Sequence, residues 1–166
     1  MSTFGEALLA FGVGDSFLAC ALGDVRQVLP SAQLCALPIT LDLPGFVGMV
    51  ATPGGPVPVV AGSALFGIVG APPLAQMILI LRNVALGVTV SRVGDVMEPG
   101  KASERPLPAW LATHCARAGV IGIAEHERLW PVISWTQEWL GPWLNAWQSA
   151  GNMPNKNGCS MAESAR

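Results

Sequence analysis

ATPGGPVPVVAG, residues 51–62, sets prolines at 53, 56 and 58 and glycines at 54, 55 and 62 among small apolar side chains, with no charge and no side-chain amide. Apolar runs at 46–50 and 57–60 flank Thr52-Pro53-Gly54-Gly55. Such a pair reads as a β-hairpin, because Pro presets φ for a turn and Gly tolerates the conformations that close one. Proline cannot donate to a ladder. Pro56 and Pro58 alternate with Val57, so one side of the second strand is expected at a sheet edge or under covering side chains, and an edge is where partners bind.

The chain around this hairpin is poor in charge. Only 12% of its 166 residues are charged, and 19 glycines and 14 prolines favour short strands and tight turns over long helices. No residue between Asp42 and Arg82 is charged, but Pro44, Pro53, Pro56, Pro58, Pro72 and Pro73 cut that stretch into pieces shorter than the ~20 residues of a spanning helix. A buried sheet is expected there, with no membrane insertion. The opening MSTFGEALLAF has Glu6 and no basic region before its apolar run, which argues against a secretory signal.

A net charge of −2 without a basic cluster argues against nucleic acid, since phosphate binding needs several Lys or Arg on one face. The four cysteines show no CxxC spacing, and Cys20 and Cys35 sit in apolar surroundings where thiols act as small hydrophobes. A reducing cytoplasm fits that usage.

Other elements follow from periodicity. FGVGDSFLACA, residues 11–21, is a strand pair across Gly14-Asp15, and DVRQVL, residues 24–29, is a short strand closed by Pro30. Leu37, Ile39, Leu41 and Leu43 alternate as in a half-buried extended segment. AQMILIL gives a buried strand, Arg82-Asn83 a turn, and a second strand runs from Leu86 to Val90 and on toward Met97. Residues 98–108 read as a polar loop, 110–118 as a short helix, and 119–124 with 129–133 as another hairpin. Trp135, Trp139, Trp143 and Trp147 fall on one helical face, with Gly141-Pro142 expected to break or kink it. Packing of that face onto the sheets explains the tryptophans more simply than an aromatic ligand box does. Residues 148–166 read as a disordered tail.

Catalytic chemistry finds little purchase. His114 and Cys115 are adjacent, which on a helix turns them about 100° apart, so His114 is poorly placed to activate the thiol. Two histidines and scattered carboxylates suggest no metal, and Gly12-Val13-Gly14 and Gly54-Gly55 lack the strand-loop-helix context of a phosphate cradle. No enzyme, cofactor or metal is expected.

Four blocks in order resemble the CheW-like domain of chemotaxis adaptors and histidine kinases. The first, FGVGDSFLACALGDVRQVL, places Phe11, Gly14, Ala19, Val25 and Val28 in the family's register, with Gln27 where Glu is usual. In the second, LPITLDLPGFVGMV, the matches are Pro44, Val47, Gly48 and Val50. The opening stretch is similar to the family's N-L-R-G-x-x-[VI]-P-[VI]-[VI]-D-L at Gly54, Val57, Pro58, Val59 and Val60, while Ala51, Pro53 and Ala61 stand where the family has Asn, Arg and Asp. The last, LGVTVSRVGDVM, keeps Gly87, Val88, Val90, Val93, Asp95, Val96 and Met97, with Ser91 where Asp is usual.

The resemblance implies an all-β fold of two intertwined five-stranded SH3-like barrels over residues 1–147, with a short C-terminal helical segment. It implies a non-catalytic adaptor that links a chemoreceptor cytoplasmic tip to the regulatory domain of a CheA-type histidine kinase. The implied location is cytoplasmic, with recruitment to membrane receptor arrays. The residues expected at the receptor or kinase surface are Val25, Gln27, Pro53, Gly54, Val57, Pro58 and Val59. Pro53 cannot supply the planar five-donor fork of the arginine it replaces, so a changed partner set, or an SH3-like scaffold repurposed for another complex, is the alternative.

Overall fold

In the computed structural model, which describes residues 5–37, 41, 43–68 and 77–150, β1 (Leu8–Val13) and β2 (Ser16–Ala21) pair across Gly14-Asp15. A 3-10 turn at Leu22–Asp24 leads into β3 (Val25–Pro30). β4 (Phe46–Thr52) and β5 (Gly55–Ala61) form the expected hairpin, and Gly55 has a φ of 115° that a side chain would strain. The four-residue helix α1 (Gly62–Leu65), β6 (Met77–Leu81) and β7 (Gly87–Val90) follow. Beyond Ser91 come β8 (Arg92–Met97), β9 (Ser103–Arg105), α2 (Ala109–Arg117), β10 (Val120–His126), β11 (Arg128–Ile133) and α3 (Gln137–Ala150).

The strands form two sheets, ordered β8-β1-β2-β11-β10-β9 and β3-β6-β7-β5-β4. Each is antiparallel except for one parallel junction, β2 with β11 and β5 with β7. The chain leaves the first sheet after β2 and returns to it at Ser91, so the two units are intertwined. One sheet has the expected five strands and the other six. No ladder closes either sheet among the described residues. A bridge between Cys35 and Met49, with N–H to O distances of 2.8 and 2.9 Å, ties the segment after β3 to the outer side of β4.

Both faces of the central strands are buried, and β5 and β6 accordingly carry no charged side chain. In β1, Leu8 and Ala10 pack into one cluster with Ala19, Met97 and Val132, whereas Leu9, Phe11 and Val13 face a second cluster. In β6, Leu79 and Leu81 enter that same second cluster, whereas Ile78 and Ile80 meet Leu29, Val50, Val57 and Val59 in a third. Each sheet thus has its own small core, and a larger shared core joins the sheets.

Three expectations about the strands change. The strand read as running from Leu86 toward Met97 is two, because Ser91 is where the chain passes between sheets. The polar loop contains β9, a sheet edge that pairs through backbone groups and needs no apolar side chains; Arg105 Nε donates to Glu125 Oε2 at 2.5 Å across that pair. Leu37, Leu41 and Leu43 form no strand, and Ile39 lies outside the described residues.

α3 runs through Gly141-Pro142 as one helix. Pro142 forgoes only its bond to the Glu138 carbonyl in the first turn, and packing holds the rest: Leu140 is fully buried, and Trp139, Trp143 and Leu144 lie against the shared core. Trp135, just before the helix, stacks on Phe11 at 6.1 Å and on Trp139 at 5.9 Å. Trp135, Trp139 and Trp143 therefore belong to the protein's own core. α3 reaches Ala150, past the expected start of the tail, and residues 151–166 lie outside the described residues.

Candidate functional site

Two segments singled out in the sequence meet in space. β3 is one outer strand of the five-stranded sheet, and its register with β6 shifts between Val25 and Gln27. That bulge turns both Arg26 and Gln27 to solvent, whereas strict alternation would expose only one. Across from it, the β4–β5 turn exposes Pro53 and Gly54. The Arg26 guanidinium spans the gap: a Cβ placed on Gly54 would lie 3.9 Å from Arg26 Nη1. Arg26 has no ion pair among the described residues.

The apolar half of the expected surface is core instead. Val57 and Val59 are 9% and 0% exposed in the cluster with Leu29, Ile78 and Ile80, and Pro58 is buried beside them. Val25 is buried in the shared core. β5 is no edge strand, since β4 flanks it on one side and β7 on the other. Its prolines are tolerated because β7 pairs only from Val59 onward, past Pro56 and Pro58. Of the seven residues expected at a partner surface, Gln27, Pro53 and Gly54 are exposed.

Two positions where the family has Asp, Ala61 and Ser91, have a polar contact close by. Ala61 caps α1 without a side-chain bond, and the Gly62 N–H donates to Thr89 Oγ1 at 3.3 Å. Ser91, where Asp is usual, accepts from the Gly14 N–H at 2.8 Å and so holds the β1–β2 turn. Near Pro53 the nearest cation is Arg26, three strands away in sheet order. Sequence reading passed over Arg26 although it lies between two residues that were chosen, since nothing in DVRQVL announces a bulge.

Among the described residues, titratable groups elsewhere assemble no catalytic pair. His114 is exposed and Cys115 half-buried on α2. Burial pushes the Cys20 thiol up to about 11; the Trp135 indole lowers it in part and Asp24 raises it. Trp135 Nε1 meets no acceptor in hydrogen-bond geometry, so that offset is weak. Cys35 is half-buried and disulfide-bonded, unlike the small free hydrophobe expected. Among the described residues no group of three His, Cys, Asp or Glu could hold a metal ion.

The two intertwined sheets, the shared core and the closing helix can be set beside known proteins. The scaffolding protein TtCheW from Thermoanaerobacter tengcongensis matches at a TM-score of 0.65 and 22% identity, covering 81% of this chain and 87% of that one. This chain has a CheW-like fold. No protein-family model and no curated protein matches it. The low identity agrees with a CheW-like fold whose apolar frame is kept and whose signature Asn, Arg and Asp positions hold Ala51, Pro53 and Ala61.

Proposed function

We propose that this chain is a divergent adaptor of the CheW kind that performs no chemistry and links chemoreceptor cytoplasmic tips to the regulatory domain of a CheA-type kinase, in chemotaxis or a similar pathway. The observation that carries the reading is the fold match to a scaffolding protein over most of both chains. In this reading the two sheets are the two SH3-like barrels, residues 1–147 are the CheW-like unit, and the protein is cytoplasmic and recruited to receptor arrays. Among the described residues no helix is long and apolar enough to cross a membrane.

Partner contact falls on Arg26, Gln27, Pro53 and Gly54, the exposed part of the β3 bulge and the β4–β5 turn. Val25, Val57, Pro58 and Val59 support that surface from inside. Calorimetry with the cognate kinase regulatory domain and co-sedimentation with receptor tips test the proposal. Saturable binding that Arg26→Glu weakens is expected; absence of binding to both partners overturns it.

A second reading, an SH3-like scaffold serving another complex, draws on Ala51, Pro53 and Ala61, which remove the polar half of the signature. It predicts that the cognate receptor and kinase leave the protein unbound in those same experiments.

A further inference from the structure

On the six-stranded sheet, far in sequence from the β4–β5 turn, Gly12 pairs with Phe17 on one side and with Arg92 on the other. Gly12 has no side chain, so the Arg92 stem lies across it: a Cβ there would meet Arg92 Nε at 2.5 Å and Cγ at 2.9 Å. The Arg92 guanidinium thereby reaches the Phe17 ring, with its carbon 4.2 Å from the centroid. Arg128 reaches the same ring at 4.1 Å and lies 5.6 Å from that of Trp130. Trp130 meets Phe17 edge-on at 5.7 Å and is held by its N–H to the His126 carbonyl, 3.1 Å.

Two cations are thus held within about 8 Å of each other by one aromatic ring, in a protein whose net charge is negative. Ring faces attract guanidinium faces and leave the in-plane N–H edges free. Neither guanidinium forms an ion pair or a hydrogen bond with any described residue. Beside them opens a cavity of about 380 Å³ with Ala10, Val96, Met97 and Trp130 in its walls, a size in the range of small-ligand sites. Asp95 and Glu127 also line it and would repel a phosphate dianion more strongly than a single carboxylate.

We propose that the Arg92–Phe17–Arg128 stack binds an acidic segment of a partner protein, with a Glu or Asp carboxylate on the guanidinium edges and a neighbouring apolar side chain in the cavity. Planar forks recognise carboxylates bidentately, and the apolar wall selects a side chain next to the charge. The proposal is independent of the adaptor reading, since its surface and its probe are separate.

The test titrates the whole protein with the blocked dipeptide N-acetyl-Phe-Glu-amide, which carries a single carboxylate beside an apolar side chain, and follows the Arg Nε–H signals by heteronuclear NMR. Saturable shifts at Arg92 and Arg128 are expected, with Arg92→Gln and Arg128→Gln each weakening binding roughly tenfold. Arg92→Lys, which keeps the stem and charge but loses the fork, and Gly12→Ala, which keeps both charges but fills the groove under Arg92, weaken it as well. Circular dichroism verifies that each variant is folded. Shifts that never saturate, equal binding of inorganic phosphate, or wild-type affinity in folded Arg92→Lys and Arg128→Gln proteins would overturn the proposal.

Discussion

Thr89 Oγ1 accepts a hydrogen bond from the Gly62 N–H at 3.3 Å, at the start of a helix whose cap residue, Ala61, has no side-chain acceptor to offer. Thr89 is 7% exposed, so its hydroxyl is a buried polar group kept for this contact. The bond joins β7 to the end of β5, the two strands that meet in parallel.

Thr89→Val should therefore cost about 1–3 kcal/mol, because it keeps the shape and leaves a buried N–H unpaired. Ala61→Asp should recover about 1 kcal/mol through an ordinary helix cap. Urea unfolding of the two single variants and the double variant measures the coupling. Simple additivity would show that the two groups do not share the helix terminus.

The buried and exposed parts of the signature should separate cleanly. Val59→Asp places a charge in the core between Val50, Ile78 and Ile80 and should prevent folding, at a cost well above 3 kcal/mol. Pro53→Glu and Gln27→Glu stay within about 0.5 kcal/mol of wild-type stability and act on partner binding alone. Thermal melts paired with calorimetry distinguish these classes, and a folded, stable Val59→Asp protein would contradict the core assignment.

Cys20 gives stability an alkaline dependence. Its thiol is held up to about 11, against an ordinary value of 9.0, by burial. Ionisation is easier in the unfolded chain, so the native state is unaffected below about pH 9 and loses stability as pH rises from there toward 11. The loss amounts to about 2–3 kcal/mol at the upper end. Cys20→Ala should flatten the slope of unfolding free energy between pH 9 and 11, and an equally steep slope in that variant refutes the assignment.

Gly119 has a φ of 74° and lies directly beneath the Trp139 indole. Gly119→Ala should cost about 2 kcal/mol or more, since left-handed backbone strains an L residue and its methyl displaces the ring. The lost Trp139 N–H to Ser134 carbonyl bond, 2.6 Å, is the local signature. Near-ultraviolet circular dichroism of the tryptophans reads it, and an unchanged spectrum would show that the ring can yield freely.

Much of this protein is legible in its residues. Turn chemistry at Gly14-Asp15 and at Thr52-Pro53-Gly54-Gly55 fixes two hairpins, because those positions need Pro or Gly whatever lies around them. The uncharged run and the glycine-valine blocks point to a buried, mostly β frame of the CheW kind, since strands buried on both faces exclude charged side chains. The tryptophan spacing likewise predicts a helix packed on that frame.

Tertiary structure alone decides which apolar residues are surface and which are core. Val57, Pro58 and Val59 look like an edge because prolines forbid a ladder, yet β7 pairs from Val59 onward, just past the prolines, and all three are buried. A one-residue bulge at Arg26 changes what faces solvent without leaving a mark in composition or period. The meeting of Arg92 with Phe17 depends on Gly12 standing between them in the sheet, a register set by strands 80 residues apart. Local propensity is written residue by residue, but long-range register and the faces it exposes come from the whole chain's packing.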